Sequence, residues 1–159
     1  MIRVIIADDH PIIRAGLKQI LADAGDIEAA GEAASGAELL KAVGREDYDV
    51  VLLDLSMPGM DGLDVCRRVR ESYSGAILML TASQSEADHV AGLELGADDY
   101  LTKPITNASL LAAIKSRLEK QATTETIRLR TYAHRLTTFQ ENERRKITET
   151  LQNEVGRIV

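Results

Sequence analysis

At the centre of the sequence lies the stretch YDVVLLD (residues 48–54), and LSMPGMDG (residues 55–62) follows it directly. An aliphatic, β-branched run that ends in a Pro/Gly cluster predicts a strand buried on both faces of a sheet, here over residues 48–53. Asp54 then stands at the carboxyl end of that strand, where open α/β folds place their ligands. The stretch therefore predicts both a central strand and the position of a functional site.

Strand and helix signals alternate five times over the first 120 residues. This strict alternation with short links predicts an α/β fold built on a doubly wound, five-stranded parallel sheet. Ser35 and Glu38 form a capping box at the start of the second helix, and Gly96 is a typical helix terminator after the fourth. The predicted strands are 2–7, 27–33, 48–53, 76–80 and 98–101, and the predicted helices begin near residues 11, 36, 63, 86 and 107.

Size and composition restrict the class of protein. The 159 residues allow one domain with an appendage, and Leu, Ile, Val and Ala must build the core because only 3% of the residues are aromatic. The single cysteine, Cys66, excludes an internal disulfide and is expected to be a buried apolar residue. No apolar run reaches membrane-spanning length and Met1 leads straight into a strand, so we expect a cytoplasmic protein without a membrane partner.

Charge is distributed unevenly along the chain. Residues 1–120 carry 12 Lys/Arg and 20 Asp/Glu, a net charge of −8, whereas residues 121–159 carry 7 and 5, a net charge of +2. An acidic body disfavours non-specific nucleic-acid binding, and the small positive charge of the tail does not reverse this. We therefore do not expect nucleic acid as a partner of this chain.

Polar residues without a packing role fall at the ends of four predicted strands. Asp8 and Asp9 follow the first strand, Asp54 the third, Thr81 the fourth and Lys103 the fifth. Because the carboxyl ends of parallel strands lie on one edge of the sheet, these side chains are expected to converge. Each of them alone is common in loops without function, and their joint placement is what indicates a site.

The expected chemistry of this site is phosphoryl transfer. Three crowded carboxylates repel one another, and Mg²⁺ suits them because their oxygens are hard ligands and too few to form a full cage. The metal and Lys103 would neutralise the charge of a phosphoryl group, to which Thr81 offers a hydroxyl donor. Asp54 is the candidate nucleophile of an in-line transfer.

Residues 1–120 resemble the receiver domains of two-component response regulators. Asp8 and Asp9 match the acidic pair of that family, and Asp54 matches its phosphoacceptor. The other matches are the loop of residues 57–62, the switch hydroxyl Thr81 with its small neighbour Ala82, the switch aromatic Tyr100, and the pair Lys103-Pro104.

This resemblance implies a flavodoxin-like sheet of strand order 2-1-3-4-5. It also implies a Mg²⁺ held by Asp9, Asp54 and the backbone carbonyl of Ser56, with Asp8 acting through water. A cis peptide bond is implied before Pro104. The segment HPIIRAGL (residues 10–17) is most similar to the subgroup that usually carries a helix-turn-helix output.

The tail after residue 120 carries one apolar stripe with charged flanks. Its members are spaced mostly three and four residues apart, and Glu143 interrupts the stripe, so a helix is predicted that needs a partner. A second copy of the chain is the simplest partner, which predicts a coiled-coil homodimer through residues 127–158. Residues 123–126 are poor helix formers, so they are either a hinge or, as we favour, a weak point in one continuous helix. The stripe consists of Leu129, Tyr132, Leu136, Phe139, Ile147, Leu151, Val155 and Ile158.

Residues 143–157 also resemble the phosphoacceptor helix of sensor histidine kinases of the nitrate-sensor and desaturase-sensor type. Gln152 stands where that family has His, and Asn153 stands where it has Asp. Glutamine cannot form phosphohistidine and asparagine cannot act as the neighbouring base, so the resemblance implies a dimerisation surface without the chemistry. An ordinary amphipathic coiled coil is the alternative explanation of the same spacing.

We therefore predict a phosphoacceptor response regulator, with a receiver domain over residues 1–120 and a helical extension over residues 121–159. A sensor histidine kinase would phosphorylate Asp54, and Thr81, Lys103 and Tyr100 would then change the surface of the fourth helix, fifth strand and fifth helix. The chain is not expected to be an enzyme beyond its own phosphorylation and dephosphorylation, because the kinase-like tail lacks the phosphoacceptor histidine.

Three alternatives compete with this prediction. The chain could be the receiver part of a DNA-binding transcriptional regulator, whose output domain would need more than the 39 residues that follow residue 120. It could be the receiver part of a larger hybrid kinase with an ATP-binding domain. A haloacid-dehalogenase-like phosphatase also uses an aspartyl nucleophile, but it needs an Asp-x-Asp motif that residues 6–9 do not supply.

Overall fold

The computed structural model of the protein describes residues 1–82 and 84–158; Val159, the last residue of the predicted extension, lies outside these ranges. The chain forms two compact units, Met1–Glu119 and Lys120–Val159. The elements in chain order are β1 (Ile2–Ala7), α1 (Pro11–Asp23), β2 (Ile27–Ala33), α2 (Gly36–Val43), β3 (Val50–Asp54), α3 (Gly62–Ser72), β4 (Ala76–Thr81), α4 (Glu86–Glu94), β5 (Asp99–Thr102) and α5 (Asn107–Ile158).

The five strands form one parallel sheet in the order β2-β1-β3-β4-β5. This confirms the predicted doubly wound, flavodoxin-like fold and its strand order. Strand β3 lies in the middle and all five of its residues are buried, as its unbroken aliphatic sequence predicted. The sheet therefore holds Asp54 at the centre of its carboxyl edge.

Two hydrophobic cores cover the two faces of the sheet, because successive strand side chains point to opposite faces. Ile5, Val51 and Leu53 pack on the face that α2 and α3 cover, with Leu39, Val65 and Val69 of those helices. The other face is covered by α1 and the first turns of α5, whose Leu17, Leu21, Leu110 and Ile114 pack on Val4, Ile6 and Leu52. Cys66 is fully buried in the first of these cores, as its sequence context predicted.

Two strand starts differ from the sequence prediction for the same reason. Strand β3 begins at Val50, two residues later than predicted, because the Asp49 carboxylate accepts a hydrogen bond from the Arg3 N–H at 2.7 Å. Strand β5 begins at Asp99, one residue later than predicted, and the Asp98 carboxylate accepts the Ile77 N–H at 2.7 Å. In both places, the carboxylate of the aspartate directly before the strand accepts a hydrogen bond from a main-chain N–H of the neighbouring strand.

The capping box at α2 is present with a small change in geometry. The Ser35 hydroxyl accepts the Glu38 N–H at 3.2 Å, as predicted. The Glu38 carboxylate, however, accepts the N–H of Ala34 at 2.8 Å, which is one residue before the cap. The helix therefore begins where the sequence indicated, and Ala34 is fixed as well.

Helix α5 runs from Asn107 to Ile158 and includes residues 123–126, so the favoured prediction of one continuous helix is confirmed. The hydroxyls of Thr124 and Thr126 each donate to the carbonyl four residues earlier, at 2.9 Å. Threonine side chains thereby remain compatible with the helix that their propensity disfavours. Among the described residues, no helix combines the length and the hydropathy that a membrane crossing requires.

Candidate functional site

The first part of the site is built where β1 meets α1. The Asp8 N–H donates to the Ala33 carbonyl at 3.0 Å, and Arg14 Nη1 donates to the Asp8 carbonyl at 2.5 Å. The Asp8 side chain is fully buried, and its Oδ1 accepts the His10 N–H at 2.8 Å. The residue is thus held on both its main-chain and its side-chain groups, which fixes a carboxylate at this edge of the sheet.

Asp54 supplies the second carboxylate. It is the last residue of β3 and its side chain is 1% exposed. The N–H of Leu55 donates to the Leu80 carbonyl at 3.1 Å, and the N–H of Ser56 donates to Asp54 Oδ1 at 3.2 Å. These bonds orient the Asp54 side chain and bring the main chain of Ser56 next to it.

The third part comes from β4 and β5. Thr81 is buried at the last position of β4 and pairs with Thr102 in the ladder, and the Lys103 N–H donates to the Thr81 carbonyl at 2.7 Å. Lys103 Nζ lies 3.3 Å from Asp54 Oδ1 and 3.6 Å from Asp8 Oδ2. The predicted cis bond between Lys103 and Pro104 is present. One ammonium group therefore faces two buried carboxylates.

The acidic residues converge as the sequence predicted. Ligand atoms of Asp8, Asp9, His10 and Asp54 all lie within 4.8 Å of one another. Within the described part of the chain, the buried oxygens Asp8 Oδ2, Asp9 Oδ1 and Asp54 Oδ2 accept no hydrogen bond, although the first two lie within ion-pair distance of Lys103 and His10. Buried carboxylate oxygens normally have partners, and a cation is the partner that such a set of hard oxygens fits. The residues present therefore suit a divalent metal ion.

His10 is a further member of this cluster, and it was not among the site residues predicted from the sequence. Its Nδ1 lies 3.0 Å from Asp8 Oδ1 and 3.0 Å from Asp9 Oδ1. Its position directly after two aspartates was the available signal, but a side chain that folds back onto its predecessors cannot be inferred from spacing. Arg14 was missed too, although the same helix turn places it against the Asp8 carbonyl.

Arg14 also links the site to a surface ion pair. Its Nε donates to Glu32 Oε1 at 3.3 Å, and Lys18 Nζ donates to Glu32 Oε2 at 3.0 Å. The hydrogen bond from Lys18, and secondarily the Arg14 guanidinium, lower the pKa of Glu32. Glu32 thus contacts, through Oε1, the same guanidinium that donates to the Asp8 carbonyl.

Tyr100, the predicted switch aromatic, lies on β5 and is half-buried. Its ring stacks on the imidazole of His89, with ring centroids 3.6 Å apart and an angle of 20° between the planes. The sequence offered no partner for His89, which is buried on α4.

The chain is thus an α/β protein of the flavodoxin-like class, with an acidic pair, a buried aspartate and a lysine on the carboxyl edge of its sheet, where such folds bind ligands. The chain belongs to the response regulator receiver domain family, whose model matches residues 4–115. This part of the molecule is therefore the receiver domain of a two-component response regulator, and a receiver domain implies a histidine kinase as its partner.

Solved structures of receiver domains agree with this assignment. A CheY-like receiver domain protein from Methanospirillum hungatei is 30% identical, with a TM-score of 0.70, over 78% of this chain and 98% of that one. The signal receiver domain of NarL from Mycobacterium tuberculosis is 34% identical, with a TM-score of 0.70, over 74% of this chain and 96% of that one. A LuxR-family response regulator from an Aurantimonas species is 31% identical, with a TM-score of 0.71, over 74% of this chain and 85% of that one.

Proposed function

We propose that the chain accepts a phosphoryl group on Asp54 from the phosphohistidine of a sensor histidine kinase in the cytoplasm. The observation that carries this proposal is the buried Asp54 carboxylate, with Oδ1 held by Ser56 and Lys103 and Oδ2 without a hydrogen-bond partner among the described residues. Attack on phosphorus or metal ligation requires a carboxylate oxygen with no competing donor, and Oδ2 meets this condition.

In the proposed step, a carboxylate oxygen of Asp54 forms an O–P bond while the P–N bond to the donor histidine breaks. The electron pair of the broken bond stays on the imidazole nitrogen. Lys103, already 3.3 Å from Asp54 Oδ1, would offset the charge of the incoming phosphoryl oxygens, and the Thr81 hydroxyl would donate to one of them. The main-chain bonds of Leu55 and Ser56 keep the carboxylate in place, so little reorganisation is needed.

We propose that the metal is Mg²⁺, held by Asp9, Asp54 and the Ser56 carbonyl, with Asp8 acting through water. Bound there, it would neutralise phosphoryl charge. The close approach of the Asp9 and Asp54 carboxylates supports this assignment, as does Asp54 Oδ2, which accepts no hydrogen bond from the described residues. The chain's own catalytic role would extend to its phosphorylation and dephosphorylation and not to a separate substrate.

The experiment that tests this function is phosphorylation by acetyl phosphate with Mg²⁺. Wild-type protein should gain one hydroxylamine-sensitive acyl phosphate, seen by intact-mass spectrometry, and Asp54→Asn should gain none. Asp61→Asn is a matched control, because Asp61 follows the same strand but only caps α3 through the Leu63 N–H. An Asp54→Asn protein that is still labelled to the wild-type extent would refute the proposal.

We further propose that the tail forms a homodimer with a second copy of the chain. Its stripe residues from Leu129 to Val155 are 50–65% exposed in one chain. Their spacing of three and four residues is the spacing at which two identical helices interlock. The flanks carry both signs of charge, with a net charge of only +2 over residues 121–159, so like-charge repulsion between copies is small. This pairing surface would pass the state of the receiver domain to the output, and nucleic acid is not proposed as a partner.

A further inference from the structure

Helix α4 has an unusual attachment to the sheet. Only His89 and Gly92 are buried among its nine residues, whereas its larger apolar side chains, Val90 and Leu93, are 53% and 41% exposed. A helix normally attaches through a stripe of apolar side chains. In α4, the buried face consists of the His89 ring and Gly92 instead of apolar side chains.

Gly92 explains how the helix comes close enough for this. A Cβ atom at that position would overlap Sδ and Cε of Met79 on β4, so a larger residue would force the end of the Met79 side chain to move. Met79 pairs with Tyr100 in the sheet. His89 lies three residues before Gly92, which places it on the same face of the helix and directly over the Tyr100 ring.

The main chain beneath Tyr100 is fixed independently of α4. The Tyr100 N–H donates to Asp99 Oδ1 at 2.9 Å, and the Arg117 guanidinium donates to Asp99 Oδ2 at 3.0 and 3.3 Å. These bonds hold the main chain at Tyr100, so its side chain is the part that, among the described residues, is free of such hydrogen bonds and able to change. With the two ring centroids 3.6 Å apart, that side chain cannot turn unless the stack with His89 opens.

We propose that His89 is a positioning residue that ties α4 to β5 and restrains the Tyr100 side chain. This inference rests on the proposed function, because the restraint acts on the response to phosphorylation at Asp54. Tyr100 lies three residues before Lys103, on the strand that delivers this lysine to Asp54. Opening the stack would free Tyr100 and α4 together, so the exposed pair Val90 and Leu93 would be repositioned with the switch.

Such a restraint lowers the affinity for a phosphoryl analogue, since binding must first open the stack. Aromatic pairs contribute enough that removal of the imidazole should tighten analogue binding about two- to tenfold. A phenylalanine at position 89 can keep the stack, whereas an alanine cannot. The variants His89→Ala and His89→Phe therefore separate the ring contact from the loss of the residue itself.

The test uses the full chain and three measurements. These are hydrogen exchange over residues 86–94, the ¹⁹F resonance of fluorotyrosine at position 100 (assigned with Tyr100→Phe), and calorimetric titration with beryllofluoride and Mg²⁺. In His89→Ala we expect faster exchange of α4, a shifted Tyr100 resonance and binding tightened about two- to tenfold. His89→Phe should be close to wild type, and His134→Ala on the exposed tail should change nothing.

The outcomes separate this inference from the proposed function. Unchanged exchange and an unchanged Tyr100 resonance in His89→Ala would overturn the inference. Faster exchange with unaltered or weaker beryllofluoride binding would overturn it too, because the ring contact would then be structural only. If wild-type protein binds no beryllofluoride, the proposed function fails and the restraint on switching fails with it, while the exchange measurement still decides whether His89 anchors α4.

Discussion

The ammonium nitrogen of Lys103 lies 3.3 Å from Oδ1 of Asp54, and the two residues reach this distance from the ends of different strands. The same nitrogen is 3.6 Å from Asp8 Oδ2, so one cation serves two carboxylates that are almost completely buried. Burial of uncompensated charge is costly, and this site is left with more negative than positive charge. Because of this excess negative charge, binding of a further cation at this edge of the sheet would be favourable.

Replacement of Lys103 by methionine should slow phosphorylation of Asp54 by acetyl phosphate about 100-fold or more, the range in which loss of one preorganised charge or donor usually falls. The free energy of unfolding should also fall, because Asp8 and Asp54 lose their common partner. Intact-mass kinetics and urea unfolding measure the two effects. Lys115→Met is the matched control, since Lys115 makes only an exposed pair with Asp26 at 3.3 Å and its loss should affect neither. A phosphorylation rate that Lys103→Met leaves intact would contradict the charge role assigned to this lysine.

Replacement of Asp9 by asparagine should act in opposite directions on metal binding and on stability. Removal of one carboxylate relieves repulsion in the acidic cluster, so the metal-free protein should become slightly more stable. Mg²⁺ affinity should fall at least about tenfold. Loss of a residue that only supports a metal ligand often costs this much, and loss of a ligand itself should cost no less. Calorimetric Mg²⁺ titration and thermal unfolding with and without Mg²⁺ measure both. Asp23→Asn on the exposed face of α1 is the control, and equal Mg²⁺ affinity in the two variants would count against Asp9 as a ligand.

The sheet and its acidic edge could be predicted because their signals are local. An unbroken aliphatic run predicts a central strand, and a polar residue directly after such a run has to lie at the sheet edge. This reasoning placed Asp8, Asp54, Thr81 and Lys103 at the correct strand ends. It also placed β2 at Ile27–Ala33, the bounds that the structure has.

Contacts that depend on side-chain direction could not be predicted in the same way. The stack between His89 and Tyr100 forms where α4 lies close to Met79 of β4 at Gly92. The sequence of α4 contains no pattern that indicates this contact. The Arg70 guanidinium donates to the carbonyls of Gly96, Tyr73 and Gly75, three main-chain groups that come together only in the folded chain. Periodicity indicates which face of an element is buried but not which polar group a long side chain will reach.

Tyr73 should make the unfolding free energy depend on pH in the alkaline range. Burial raises its pKa above the ordinary value of 10.0, and its hydroxyl donates to the Tyr48 carbonyl at 3.1 Å. The contribution of Tyr73 to stability is therefore complete below pH 10 and is lost as the pH rises, because the unfolded chain ionises there while the folded chain does not.

The variant Tyr73→Phe should lose about 1 kcal/mol at pH 7, from the missing hydrogen bond. Its disadvantage relative to wild type should shrink at about pH 10.5, where ionisation of Tyr73 destabilises only the wild-type protein. Urea unfolding at the two pH values gives the difference, and Tyr132→Phe, which alters a 65% exposed tail residue, should show no such change. If the difference in unfolding free energy between wild type and Tyr73→Phe stays constant with pH, burial does not raise the pKa of the Tyr73 hydroxyl.

Glu143 is the position where the proposed tail pairing can be strengthened. It lies four residues after Phe139 and four before Ile147, so it continues the stripe with a charged side chain that is half-buried and paired with Lys146 at 3.2 Å. In a homodimer both copies would bring this carboxylate to the seam, where it must be desolvated. Glu143→Leu would replace that cost with apolar burial, which contributes about 1.5–3 kcal/mol for each fully buried leucine. We expect the dimer dissociation constant to fall about tenfold or more, as measured by sedimentation equilibrium.

The variant Glu141→Leu is the matched control for this prediction. It makes the same chemical change two residues away and off the stripe, so it should leave the dimer dissociation constant unchanged. Equal tightening by both variants would mean that general hydrophobicity, and not the stripe, drives association, and a monomer in every variant would exclude a second copy as the partner of the tail.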